Sequence, residues 1–232
     1  MKNVVITGVS RGLGKELFHH FLSNGYSVYG VVRRETSFLK KEMSTFQKGK
    51  IILADISNDE SIDILQNEIQ DKPIDLLINN AGIGGKAFNL DKVESKEILD
   101  LLNVHCLGAL RVIKALETNL LQSENPIVLN MNSRFGSITR QSNKSYKHLS
   151  VSYSYRIAKA AQNMLTNCLK NEFDGRIQFI SLHPGKMKTE IAQEDANLDP
   201  SEVSKQILQY YTRGMFSEEH GIRELGKGLI EW

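Results

Sequence analysis

The sequence has few cysteines and no long apolar run, and both scarcities exclude classes of protein. Its 232 residues include two cysteines, Cys106 and Cys168, which belong to no recognisable motif, so neither a disulfide framework nor a metal site is predicted. No apolar stretch approaches the ~18 residues of a membrane span, and the N-terminal residues are not typical of a signal peptide. We therefore expect a cytoplasmic protein without a membrane segment.

The sequence also lacks an excess of charge of either sign. It contains 29 Lys+Arg and 27 Asp+Glu, a formal net charge of +2, which argues against nucleic acid as a partner. At roughly 150 residues per domain, and with 41% hydrophobic residues, residues 1–232 are expected to form one domain.

Short apolar segments alternate with amphipathic ones along the chain. Residues 28–32 and 126–131 are predicted strands, whereas residues 95–121 and 153–173 are predicted helices. Strands that are almost entirely apolar and separated by helices indicate a parallel sheet covered on both faces. We expect a doubly wound, Rossmann-type α/β domain that binds its ligand beyond the carboxyl ends of the strands.

A glycine-rich loop, residues 7–14, connects the first predicted strand to the first predicted helix. Glycines there let the backbone approach a pyrophosphate, and the helix N-terminus supplies oriented N–H groups. The spacing is G-x-x-x-G-x-G. A tight turn without a ligand is the alternative interpretation, but the strand before the loop and the helix after it favour a dinucleotide site.

The end of the second predicted strand indicates which dinucleotide is bound. An acidic residue there would bind the ribose hydroxyls of NAD, whereas an arginine favours a 2′-phosphate. The strand ends in Arg33 and Arg34, with Glu35 only afterwards, and Arg11 adds a cation in the glycine loop. Solvated surface arginines are the alternative, and the pattern favours NADP(H) over NAD(H).

Tyr155 and Lys159 are spaced i and i+4 on a predicted helix and so lie on one face of it. Free tyrosine, with a pKa near ~10, is a poor base at neutral pH. A neighbouring ammonium together with an oxidised nicotinamide would lower that pKa, so Tyr155 could protonate a carbonyl oxygen as hydride arrives. Ser133, just beyond the fifth predicted strand, would hydrogen-bond the same carbonyl. The alternative is that Ser133 is only part of a turn.

Several motifs follow one another along the chain: the glycine loop, Asn79-Asn80-Ala81-Gly82, Ser133, Tyr155 and Lys159. With these motifs in this order, the chain resembles the short-chain dehydrogenase/reductase family over almost its whole length. The residues around Tyr155, the stretch from His183 to Thr189 and Trp232 resemble those of C-factor and sniffer-type carbonyl reductases. The resemblance implies NADPH-dependent reduction of a small ketone or aldehyde to an alcohol. Tyr155 would be the general acid/base, Lys159 would tune it and Ser133 would orient the carbonyl.

The resemblance also implies a set of cofactor contacts. They are Gly8, Ser10, Arg11, Gly12, Leu13 and Gly14 at the phosphates, Arg33 at the 2′-phosphate, Asp55 and Ile56 at the adenine, Asn80, Ala81 and Gly82 at the adjoining ribose, Tyr155 and Lys159 at the nicotinamide ribose, and Pro184, Gly185, Met187 and Thr189 around the nicotinamide. Asp55 as a helix N-cap and Thr189 as a loop hydroxyl are the alternatives.

The chain departs from the family pattern at two places. His105 stands where the family often has a relay asparagine, and it either maintains the proton relay through water or is a helix histidine without a catalytic part. Residues 137–152 lengthen the segment before Tyr155 and form either a surface loop or a basic rim of the substrate pocket. Residues 186–199 are expected to form a flap over that pocket.

Two questions stay open at the level of the sequence. An NADP(H)-binding sensor or signalling protein with incidental reductase activity is the alternative function. The long predicted helices leave a homodimer or homotetramer open, and the small carbonyl or alcohol substrate is not specified further.

Overall fold

The computed structural model describes residues 1–188 and 195–232, and within them eight strands form one sheet. The strands are β1 (Asn3–Thr7), β2 (Ser27–Val32), β3 (Gly49–Leu53), β4 (Leu76–Asn79), β5 (Ile127–Met131), β6 (Gln178–His183), β7 (Ile222–Glu224) and β8 (Gly228–Ile230).

The strand order is β3-β2-β1-β4-β5-β6-β7-β8. Every neighbouring pair is parallel except β7 and β8, which are antiparallel. The direction of winding reverses between β1 and β4, and doubly wound sheets bind ligands at the carboxyl ends of the strands at such a point. The predicted doubly wound fold is therefore confirmed.

Helices connect the strands, and one of the two predicted helices is interrupted. They are α1 (Gly12–Ser23), α2 (Ser37–Thr45), α3 (Glu60–Ile69), α4 (Ser95–Leu102), α5 (Gly108–Leu121), α6 (Ile138–Ser142), α7 (Tyr153–Phe173) and α8 (Pro200–Thr212). The helix predicted over residues 95–121 is interrupted, because Asn103–Leu107 form a π-helical turn. No helix in the described ranges is long and apolar enough to cross a membrane.

The core consists of two apolar clusters on the two faces of the sheet. Val4 and Ile6 of β1 pack in one cluster with Phe18 of α1, whereas Val5 packs in the other with Leu116 of α5. Successive residues of a strand face opposite sides, so α1 and α8 cover one face and α3, α5 and α7 the other. Helix α7, which carries the predicted Tyr/Lys pair, is thereby held against the second face.

The inserted residues 137–152 begin with a helix and continue in turns. Ser137 caps α6 by accepting a hydrogen bond from the amide of Arg140, and the amide of Thr139 donates to the carbonyl of Trp232 over 2.8 Å. The polar composition of the insertion is thus used for capping and turns, and its start is fixed to the C-terminal residues.

Candidate active site

A cleft of about 610 Å³ lies at the carboxyl ends of the central strands. It is lined by the glycine loop, by the residues that follow β2, β3 and β4, and by side chains of α7. The predicted site residues that line it are Gly8, Ser10, Arg11, Gly12, Leu13, Gly14, Arg33, Asp55, Ile56, Asn80, Ala81, Gly82, His105, Tyr155, Lys159, Pro184 and Met187.

Three predicted residues are not among those that line the cleft. Ser133 is buried, 5% exposed; its hydroxyl accepts a hydrogen bond from the amide of Phe135 at 3.3 Å and lies close enough to Tyr155 to lower the pKa of the tyrosine. Gly185 follows Pro184 in a left-handed conformation with φ +97°. Thr189 lies outside the described residues.

Sequence reasoning missed Thr7, whose hydroxyl joins the first strand to the end of β4. It accepts hydrogen bonds from the amides of Asn80 and Ala81, both at 3.0 Å. The side-chain amide of Asn80 donates to the Thr7 carbonyl over 2.9 Å in return. A threonine directly before the first glycine is the signal that could have found it.

Two glycines make the close approach between the loop and β4 feasible. Gly8 has φ +74°, and a Cβ on it would lie 2.8 Å from the Cα of Ala81. A Cβ on Gly14 would overlap the carbonyl oxygen of Gly8. The bare backbone there forms a cradle that any larger residue would fill.

The N-terminus of α1 opens into the same cleft at Gly12. Its first turn has no acidic residue, and the side chain of its N-cap residue forms no capping hydrogen bond. The first N–H groups of a helix have no intrahelical acceptor and attract anions. The cradle and this helix end therefore fit the phosphates of a dinucleotide.

Asp55 lies beyond β3 and is held by a local turn. Its Oδ1 accepts hydrogen bonds from the amide of Ser57 at 3.0 Å and from the Ser57 hydroxyl at 2.7 Å. Helix α3 begins later, with Asp59 as its N-cap, so the N-cap alternative for Asp55 is wrong. Burial raises the pKa of Asp55, but the hydrogen bonds from Ser57 and the charge of Arg33 outweigh it and hold that pKa below its ordinary value.

His105 occupies the π-helical turn and is 1% exposed. Its Nε2 lies 2.8 Å from the carbonyl oxygen of Ile83 and 3.3 Å from the Ile83 amide. The shorter contact assigns the ring proton to Nε2, which leaves Nδ1 as an acceptor that is buried and has no partner among the described residues. Burial, and then the charge of Lys159, lower the pKa of His105 well below its ordinary value, so the ring is neutral.

Tyr155 and Lys159 lie on one face of α7, as the spacing predicts, with Lys159 Nζ 5.8 Å from the centre of the tyrosine ring. The ring of His105 meets that of Tyr155 edge-on, with 5.6 Å between centroids. The hydroxyl of Ser152 caps the helix by accepting from the amide of Tyr155 at 3.3 Å. Tyr155, Lys159 and Ser133 are thus brought together beside His105.

The ionisation of the pair differs from the sequence-based expectation. Burial raises the pKa of Tyr155 to about 12, against the opposing effect of the hydrogen bond to Ser133. Burial lowers the pKa of Lys159 to about 7. Without the nicotinamide, desolvation is the larger effect on both groups, and the lowering of the Tyr155 pKa by the ammonium together with an oxidised nicotinamide stays a prediction.

Residues 2–199 match the model of the family described as short chain dehydrogenase. The chain belongs to this family. It is 25% identical over 194 residues to the NADPH-dependent pterin aldehyde reductase of Arabidopsis thaliana, covering 82% of this chain and 76% of the relative. It is 30% identical over 139 residues to the C-signal of Myxococcus xanthus, covering 59% of this chain and 80% of the relative.

Among solved structures, the carbonyl reductase Sniffer of D. melanogaster superimposes with a TM-score of 0.86 at 26% identity, and each chain is covered completely. Together with the C-signal relative, this confirms the predicted resemblance to C-factor and sniffer-type members of the family.

In this short-chain dehydrogenase the structure describes residues 186–188 and 195–199 of the predicted flap, residues 186–199, and polar contacts hold both parts. Asp195 accepts two hydrogen bonds from Nη2 of Arg134, at 2.7 and 2.8 Å, and one contact from Lys186 Nζ at 2.9 Å. Met187 and Leu198 form a parallel β-bridge. Arg134 follows Ser133 directly, so the flap base is joined to the strand end that carries the serine.

Replacement of Lys159 by methionine is expected to flatten the pH dependence of stability. The pKa of the folded lysine, about 7, lies below its ordinary value of 10.5. Between these values the unfolded chain holds the proton that the folded chain releases, so the free energy of unfolding rises with pH. Lys159→Met lacks this contribution. Urea unfolding of both proteins at about pH 7 to 9, below the titration of Tyr155, measures the two slopes, and equal slopes would contradict the prediction.

Proposed function

We propose that this short-chain dehydrogenase is an NADPH-dependent reductase that converts the carbonyl of a small ketone or aldehyde to an alcohol. The observation that carries the proposal is the meeting of Ser133, Tyr155 and Lys159 next to a cleft whose other end fits the phosphates of a dinucleotide. The reductase activities in the names of the Arabidopsis relative and the Drosophila structure support the same chemistry.

Each of the three side chains has one part in the reaction. Bound NADPH supplies the hydride for the carbonyl carbon. The Tyr155 hydroxyl gives its proton to the carbonyl oxygen, and the Ser133 hydroxyl orients that oxygen by a hydrogen bond. A pKa of about 12 keeps Tyr155 protonated at neutral pH, which suits a general acid in the direction of reduction. Lys159 lies close enough to lower that pKa once the ammonium is charged.

The choice of NADP(H) over NAD(H) rests on the residues that follow β2. Arg33 and Arg34 are exposed and line the cleft, whereas Glu35 points to Lys40, with 3.7 Å between Nζ and Oε2. A carboxylate engaged elsewhere does not compete for the ribose hydroxyls, and the two cations suit a 2′-phosphate. The NADPH dependence of the Arabidopsis relative agrees with this choice.

His105 is proposed to pass protons towards the Tyr155–Lys159 pair. Its neutral ring offers Nδ1 as an acceptor within the buried space beside Tyr155. With Nε2–H held by the Ile83 carbonyl, Nδ1 is the nitrogen that can take up a proton from water and return it towards the Tyr155–Lys159 pair. This role would replace that of the family's relay asparagine.

The alternative, a cofactor-binding signalling protein, has one observation in its favour, the similarity to C-signal. NADPH oxidation measured against a panel of aldehydes and ketones separates the two functions. Oxidation that depends on the carbonyl compound supports the reductase, whereas NADPH binding without any oxidation supports the signalling function. For either function we propose a cytoplasmic location, since free thiols such as those of Cys106 and Cys168 are usual in a reducing compartment.

Tyr155→Phe is expected to lower kcat by about 100- to 10,000-fold, because the proton donor is lost. The affinity for NADPH, measured by fluorescence titration, is expected to stay within about twofold. Tyr153→Phe, two residues earlier on the same helix and 38% exposed, is the matched control and should keep its turnover. Ordinary turnover by Tyr155→Phe would refute the assigned role.

Arg33→Ala is expected to weaken NADPH binding by about 10-fold or more, since a charge-assisted hydrogen bond to phosphate contributes about 1.5–3 kcal/mol. NADH, which lacks the 2′-phosphate, should bind with nearly unchanged affinity. Isothermal titration with both cofactors makes the comparison, with Arg213→Ala at the exposed end of α8 as control. An equal loss for the two cofactors would sink the assignment.

His105→Phe keeps an aromatic ring in the π-helical turn but removes both nitrogens, so kcat is expected to fall by about 100-fold. His105→Asn restores the family's residue type and should retain more turnover than His105→Phe. Steady-state kinetics at saturating NADPH measures both. If His105→Phe turns over like the original protein, His105 has a packing role only.

A further inference from the structure

Gln162 lies one helical turn after Lys159 on α7 and is 2% exposed. Its Oε1 accepts a hydrogen bond from Lys159 Nζ at 3.0 Å. The other acceptor of that ammonium is the carbonyl oxygen of Met131 at the end of β5, 2.6 Å away. Both acceptors are uncharged, and within the described ranges no carboxylate forms an ion pair with Lys159.

The titratable groups that face Lys159 are also neutral. Tyr155, on the same helix, keeps its proton at neutral pH because its pKa is raised by burial, and His105, on the π-helical turn, is uncharged because its pKa is lowered. A buried ammonium without a counter-ion depends on hydrogen bonds to remain charged and in place. Of the two acceptors, only Gln162 is a side chain.

The position of Gln162 is itself fixed by hydrogen bonds between α7 and β5. Within α7 the hydroxyl of Thr166 donates to the backbone carbonyl of Gln162 over 2.9 Å, and the side-chain amide of Asn130 in β5 donates to that hydroxyl over 3.0 Å. This turn of α7 is therefore attached to the strand that also supplies the Met131 carbonyl. The backbone from which the Gln162 side chain extends is thus fixed relative to the Met131 carbonyl, so both acceptors reach Nζ from fixed main-chain positions.

We propose that Gln162 is a positioning residue that holds the ammonium of Lys159 beside Tyr155 through the Oε1–Nζ hydrogen bond. An apolar side chain at this position would leave Nζ with one acceptor, and a carboxylate would give it a counter-ion. The catalytic consequence rests on the proposed function, because it acts through the tuning of Tyr155. The hydrogen bond and its effect on Lys159 do not.

The first experiment titrates Lys159 directly, by NMR of lysine-labelled protein without added cofactor. The Lys159 signal is identified by its loss in Lys159→Met. Gln162→Met keeps the side-chain length but removes the acceptor, so the titration midpoint should fall by about one unit. Gln162→Glu is isosteric and adds a carboxylate within ~4 Å of Nζ, so the midpoint should rise by about 1 to 3 units.

Gln209→Glu is the matched control, because it makes the same change of charge at an exposed position of α8, on the opposite face of the sheet. Its Lys159 midpoint should equal that of the original protein. Thermal unfolding verifies that each variant is folded, and Gln162→Asn, whose amide is too short to reach Nζ, replaces Gln162→Met if the latter fails to fold.

The second experiment measures kcat/KM for carbonyl reduction against pH, where the limb governed by Lys159 should move in the same direction as the NMR midpoint. A merely structural role would reduce turnover in both variants without opposite shifts. Midpoints that stay in place, or that move the same way in Gln162→Met and Gln162→Glu, overturn the inference and leave the reductase proposal intact. A protein that reduces no carbonyl compound overturns the reductase proposal, while opposite NMR shifts still establish the role of Gln162.

Discussion

The active site depends on a buried polar contact between α7 and strands β5 and β6. Asn132, after β5, bonds through its side-chain amide to Oδ1 of Asn163, which also accepts from the Ser181 hydroxyl over 2.8 Å. Apolar packing alone would tolerate small shifts of a helix along a sheet, whereas such paired donors and acceptors fit one position only. They fix how far along β5 the helix lies, and so they place Tyr155 and Lys159 opposite Ser133.

Burial then sets the ionisation of the groups that this contact brings together. In water the tyrosine and lysine would titrate close to each other, but desolvation moves their pKa values apart, to about 12 and about 7. Separation of this kind gives neighbouring groups distinct roles in proton transfer. The tyrosine holds its proton firmly, while the lysine titrates near neutrality and is sensitive to small changes in its hydrogen bonds. A single neutral acceptor such as Gln162 therefore affects the site more than its size suggests.

Local patterns predicted most of the fold and much of the cleft. The predicted bounds of α7 coincide with the observed ones, Tyr153–Phe173. The glycine loop could be predicted to line the cleft because the close contact of its backbone with the end of β4 requires glycine, and glycines are visible in the sequence. The π-helical turn at Asn103–Leu107 was missed, since it depends on the tertiary contact between His105 and Ile83. The contact from Gln162 to Lys159 was missed because an i, i+3 pair of this type occurs on many helix surfaces.

The departure at His105 is accommodated by residues that belong to the family pattern. A Cβ on Gly82 would lie 2.6 Å from Cε1 of the histidine ring, so the ring fits only because that position of the Asn-Asn-Ala-Gly motif has no side chain. The π-helical turn adds one residue to the helical turn that carries the histidine, and the ring then reaches the Ile83 carbonyl beyond the motif. An imidazole is larger than the asparagine it replaces, and here it lies between Gly82 and the ring of Tyr155. The absence of a side chain at Gly82 thus makes room for the imidazole ring beside Tyr155.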